Sequence, residues 1–160
     1  MDSIRDFEDL LFLLEKHQVK YLIVGGLAFI FHAKPRFTKD MDLWIHFTSP
    51  NIKKANLALK EFGSPFLLSP EKMTEIVQIG VAPNRIDLIP FLEGTPFTKA
   101  WNNRIHSTYG KVKANWIGLD DLIQIKKLIP AARHQEDYRV LMEVKMLKTK
   151  PNRKKKQGHL

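Results

Sequence analysis

At 160 residues, with 44% hydrophobic and 10% aromatic side chains, the chain can bury one core and is too short for two domains. A formal charge of +9 points to an anionic partner, and the absence of cysteine excludes disulfides, thiolate metal sites and a cysteine nucleophile. No apolar run approaches the ~20 residues of a membrane-spanning helix. Asp2, Asp6 and Glu8 stand where a signal peptide would be positive, so the expected address is a reducing cytoplasm.

Ile4, Phe7, Leu10, Leu11 and Leu14 recur at helical spacing, which predicts an amphipathic helix over 3–17 with Ser3 as its N-cap. The apolar run 21–24 reads as a short buried strand. Gly25-Gly26 then makes a tight turn into a helix over 27–32, which Lys34-Pro35 ends. Further strands are expected over 40–45, 74–81, 85–90 and 111–116, and helices over 50–62, 118–129 and 135–147. The helix at 118–129 is expected to be capped near Asp120, with Asp120-Asp121 as a helix start rather than a metal site. Residues 95–103 read as loop or short helix. This order of elements describes an α+β (mixed α/β) domain over 1–147. Residues 148–160 form a basic tail, read either as a solvated, frayed end or as an arm that neutralises RNA phosphates.

Asp40 and Asp42 lie two apart on a predicted strand, so the pleat puts both carboxylates on one face, about 6–7 Å apart, with Met41 turned into the core. Two like charges on one face repel, and hard cations such as Mg²⁺ or Mn²⁺ prefer carboxylate and phosphate oxygens. A two-metal site usually needs a third carboxylate. Asp87 is the candidate, because a charge within Ile86-Asp87-Leu88-Ile89 is costly unless used. Gly25 and Gly26 let the backbone approach a phosphate and lead into a helix N-terminus. Each signal is weak alone: Gly-Gly often marks only a turn, and Asp-x-Asp often a solvated strand edge paired with Arg36 or Lys39. Together they are specific.

Gly25-Gly26 followed by Arg36-Phe37-Thr38-Lys39-Asp40-Met41-Asp42, with Ile86-Asp87-Leu88, resembles the polymerase-beta-like nucleotidyltransferase superfamily. The chain looks most like its small prokaryotic members related to abortive-infection type IV toxins. Leu122-x-x-x-Lys126-Lys127 and Arg133-x-x-x-Asp137-Tyr138-x-x-Leu141 look like the same group, in which a lysine and a basic helix line the nucleotide cleft. Most of the superfamily has Gly-Ser where this chain has Gly25-Gly26, so one phosphate-contacting hydroxyl is missing from that position.

The resemblance implies that Asp40 and Asp42 coordinate both metals and that Asp87 binds the second and helps deprotonate an acceptor hydroxyl. Lys126 or Lys127, with Arg133, would neutralise the triphosphate. Flanking apolar positions favour Lys126 as the one facing the cleft. Arg36 and Thr38 are expected to contact phosphate or acceptor, or to make structural bonds in the loop before the strand. Asp137 is read as orienting Arg133 or Lys126, or as a surface ion-pair partner. The six histidines show no metal-ligand spacing, and His134, beside Arg133, is read either as touching substrate or as a surface histidine. Trp44, Trp101 and Trp116 are expected to pack in the core or at its rim.

The function implied is NTP-dependent transfer of a nucleotide, with release of pyrophosphate. Its acceptor is read as RNA such as a tRNA end, a protein hydroxyl in a toxin–antitoxin pair, or a small antibiotic-like molecule. The competing reading is a basic RNA- or protein-binding module that keeps the fold without the chemistry.

Overall fold

The structure is a computed structural model and describes residues 3–149. The expected cap at Ser3 and the tail beyond residue 149 lie outside the side chains described. Twelve elements follow one another: α1 (Ser3–Lys16), β1 (Tyr21–Val24), α2 (Gly25–His32), β2 (Asp40–Ile45), α3 (Ser49–Phe62) and β3 (Val77–Ile79); then β4 (Arg85–Ile89), α4 (Phe97–Asn102), β5 (Ile105–Tyr109), β6 (Val112–Trp116), α5 (Leu119–Leu128) and α6 (Ala132–Thr149).

The strands form one mixed sheet in the order β3-β4-β2-β1-β6-β5. β1 runs antiparallel to β2 and parallel to β6, while β2 and β4 run parallel with Asp40 opposite Arg85 and Asp42 opposite Asp87. Helix α1 packs on α3 and β6; α2 packs on β1, β2, α5 and α6. Tyr21–Val24 is buried throughout, as its unbroken apolar run requires of a central strand. On β2, Met41 and Leu43 are fully buried while Asp40 and Asp42 are half-buried, so the pleat separates core from cleft.

Local chemistry accounts for several boundaries. Thr48 caps α3 by accepting from the Asn51 amide, with Pro50 in the first turn, and Gly63 ends it in a left-handed conformation (φ 88°). Buried Asn51 ties α3 to the ends of β1 and β2: its Nδ2 donates to the Lys20 and His46 carbonyls, and its Oδ1 accepts from the Lys20 amide.

Four expectations are corrected. Helix α2 begins at Gly25 itself, directly on the end of β1. The strand expected over 74–81 shrinks to Val77–Ile79, because only those residues pair with β4 at the sheet edge. An unforeseen strand, Ile105–Tyr109, forms a hairpin with β6 around Gly110, which takes φ 57°. Helix α5 is not capped by Asp120: Gly118 precedes it without a side-chain bond, Asp120 pairs with Lys145, and buried Asp121 accepts from Thr95 and Asn103. Two acids in that first turn still favour the positive end of the helix. No helix among the described residues is long and apolar enough to cross a membrane.

Candidate active site

The parallel register of β2 and β4 brings the third acid to the first two. Asp40, Asp42 and Asp87 each offer an oxygen, and these oxygens all lie within 4.8 Å of one another. Asp87 is only 8% exposed. Burial, then the Asp40 and Asp87 charges, push the Asp42 carboxyl up to about 7, and burial likewise raises Asp87. Arg85 shares the face of Asp87 two residues on. Its Nη2 donates to Asp40 Oδ2 at 2.6 Å, and its Nε lies 3.0 Å from Asp87 Oδ1. That second contact is an ion pair without hydrogen-bond alignment, so Asp87 Oδ1 is buried with no hydrogen bond. Three clustered carboxylates, with a buried Asp87 oxygen that accepts no hydrogen bond, suit a divalent cation.

Helix α2 begins beside these acids. Gly25 has φ +66°, and a Cβ built there would lie 2.0 Å from Asp42 Oδ2. At Gly26 a Cβ would lie 2.7 Å from Thr38 Oγ1. Both glycines therefore allow close approach: one of the helix start to the carboxylate, the other to Thr38. The hydroxyl absent at position 26 has a neighbour in Thr38, whose own Oγ1 donates weakly to the Asp40 carbonyl at 3.4 Å.

Cations line the same cleft. Lys126 is 2% exposed while Lys127 faces solvent, as their separation around the helix requires. Lys126 Nζ is 3.0 Å from Asp137 Oδ2 and 3.0 Å from His134 Nδ1. Arg36 Nη1 donates to the other Asp137 oxygen at 2.5 Å, and its guanidinium lies 4.5 Å from the Phe29 ring centroid. Burial pushes the lysine down from its usual range, and Asp137 opposes that. Arg133 also lines the cleft and has no ion-pair partner among the described residues.

The resulting cleft, about 410 Å³, is lined by all nine of the residues singled out in sequence: Gly25, Gly26, Arg36, Thr38, Asp40, Asp42, Asp87, Lys126 and Arg133. Six further residues line it, among them Arg85 and His134. Arg85 was read only as a strand start, although its two-residue spacing from Asp87 puts both on one face. His134, read either as touching substrate or as a surface histidine, is half-buried and lines the cleft against Lys126. Asp137 bonds Lys126 and Arg36 rather than Arg133. None of the three tryptophans lines the cleft; Trp44 and Trp116 are buried, and Trp101 packs beneath Arg104 at the rim.

No protein-family profile and no curated protein matches the chain in sequence. Solved structures do match in shape, over nearly the whole chain. The lincosamide antibiotic adenylyltransferase LnuA, bound to lincomycin, aligns with TM-score 0.58 and 15% identity over 88% of this chain and 96% of its own. ANT(2'')-Ia in complex with adenylyl-2''-tobramycin aligns with TM-score 0.56 and 12% identity over 91% of this chain and 94% of its own. An antigenic nucleotidyltransferase-like protein from Paracoccidioides brasiliensis aligns with TM-score 0.56 and 16% identity over 91% of this chain and 77% of its own. The chain has a nucleotidyltransferase fold. In that nucleotidyltransferase sheet the three carboxylates occupy adjacent parallel strands, and the first glycine-led helix and the last two helices enclose them.

Proposed function

We propose that the protein is a metal-dependent nucleotidyltransferase that moves a nucleoside monophosphate from an NTP to an acceptor hydroxyl. The observation that carries this reading is that three clustered carboxylates and the cations Arg36, Lys126 and Arg133 line one cleft. Asp40, Asp42 and Asp87 would hold Mg²⁺ or Mn²⁺, which when bound supplies charge neutralisation and acidifies the acceptor hydroxyl. The α2 amides, Arg36, Lys126 and Arg133 would hold the phosphates, and Thr38 would offer its hydroxyl at the Gly26 turn. The acceptor oxygen would bond to the α-phosphorus as the bond to pyrophosphate breaks, with Asp87 taking the acceptor proton.

Two acceptor classes follow from different observations. The charge of +9 favours RNA or an acidic protein partner, including an antitoxin. A groove of about 460 Å³ between β3 and the 65–72 loop, sharing Ile76 with the cleft, favours a small hydroxylated molecule. Its Lys72 and Glu75 pair with each other, so its walls offer no net charge to a polycation. Incubation with each α-³²P-labelled NTP, Mg²⁺, total RNA, cell protein and a hydroxylated metabolite pool tests both. Label should appear with the native chain and vanish with Asp42→Ala, and its carrier names the acceptor. Equal labelling by both proteins, or none, sinks the enzyme reading.

A further inference from the structure

Lys126 is the one lysine or arginine that is buried among the described residues, and two partners hold it. An ammonium has three N–H groups and no lone pair, so it can only donate. One N–H goes to Asp137 Oδ2 and one to His134 Nδ1, each at 3.0 Å. The third is left for an anion entering the cleft that Lys126 lines. We propose that His134 is a positioning residue for Lys126: a neutral imidazole whose Nδ1 lone pair aims the ammonium at the terminal phosphates of a bound nucleotide. This rests on the nucleotidyltransferase reading above.

Two features of the site support it. Asp137 alone would draw the lysine toward Arg36, with which it already shares its carboxylate at 2.5 Å. His134 lines the cleft and draws it the other way. Because the contact requires a lone pair on Nδ1, the ring hydrogen must sit on Nε2. The charged groups around the ring are Lys126 of α5, Arg133 and Asp137 of α6, and Arg36 of the loop before β2, three cations to one carboxylate. Burial and then Lys126 accordingly push this histidine below its ordinary range, which keeps the lone pair available at neutral pH.

The full chain is tested in two ways. Long-range ¹H–¹⁵N spectra of the histidine rings should show the His134 hydrogen on Nε2; a hydrogen on Nδ1 overturns the proposal. Affinity for inorganic tripolyphosphate with Mg²⁺ is then compared with that for orthophosphate. His134→Ala should weaken tripolyphosphate about 3–10-fold, the net worth of one ordinary intramolecular hydrogen bond, and change orthophosphate by less than about twofold. His134→Asn, whose Oδ1 can take the place of Nδ1, should recover most of the loss. Wild-type affinity in His134→Ala, or no recovery in a His134→Asn protein of unchanged melting temperature, refutes the role. A chain that shows this His134 dependence yet transfers no nucleotide sinks the enzyme reading and leaves this one standing.

Discussion

Gly25 and Asp42 stand so close that one added methyl would lie 2.0 Å from the carboxylate oxygen. The left-handed φ of +66° at Gly25 adds strain to that collision for any other residue. Gly25→Ala must therefore move either the start of α2 or Asp42. The expected result is loss of nucleotidyl transfer together with a melting temperature lowered by several degrees, equivalent to about 1–3 kcal/mol. Transfer at the native rate in Gly25→Ala would show that the helix start is not held against the acid.

The raised carboxyl of Asp42 gives the metal-free protein a distinct pH response. Its folded value of about 7 exceeds the unfolded 3.8, so between those limits the native state holds a proton that the unfolded chain has released. Asp42 therefore stabilises the fold below pH 4, and that contribution is lost as pH rises to about 7. Buried His32 and half-buried His46 and His134 have lowered values and act in the opposite sense near neutrality. The informative quantity is thus the difference between the native chain and Asp42→Asn in EDTA. The native chain should lose stability relative to the variant between pH 4 and 7, and Mn²⁺ affinity should rise over the same interval as the cation displaces the proton. A constant difference would contradict the assignment.

Arg85 is the counter-cation that the clustered acids already carry. Arg85→Gln removes that charge without removing a carboxylate. Melting curves in EDTA should shift downward, and the gain on adding Mn²⁺ should exceed that of the native chain. An unchanged gain would mean that Arg85 and the cation do not share the same carboxylates.

Lys126 and Asp137 form an ion pair whose side chains are 3% and 4% exposed. Truncating one partner strands the other, although Arg36 remains to Asp137. Lys126→Ala should cost about 3 kcal/mol, and Lys126→Met, which refills the volume, noticeably less. Both should raise the KM for NTP. Normal KM in a folded Lys126→Met protein would remove the lysine from the phosphate site.

Asn51 supplies a control away from the cleft. Its amide satisfies three backbone groups, so Asn51→Ala should lower stability by about 2–3 kcal/mol, read by urea denaturation, without altering the KM for NTP. A changed KM would link the far end of β2 to the site.

Much of this site was legible because strand and helix periods fix which side chains share a face. Asp40 with Asp42, and Lys126 rather than Lys127, follow from periods of two and 3.6. Asp87 stood out as a charge in an apolar strand. Arg85 obeys the same period and was overlooked because a residue beginning a strand reads as a turn. His134 and Asp137 carry no comparable local signal: their partners are Lys126 on another helix and Arg36, 101 positions away. The hairpin strand Ile105–Tyr109 was missed because its alternation of Ile, Ser and Tyr with His and Thr is barely amphipathic, and pairing with β6 decides it.

That long span between Arg36 and Asp137 sets an order in time. During synthesis the three aspartates leave the ribosome well before the eighteen residues of α6, which bring Arg133, His134 and Asp137. A nascent sheet can gather its acids and a cation early, but the cationic lining of the cleft is complete only after the last described helix has docked on α2 and α5. Completion of the cleft is thus a late event: a chain whose Lys126, His134 and Asp137 are joined has already docked its last described helix.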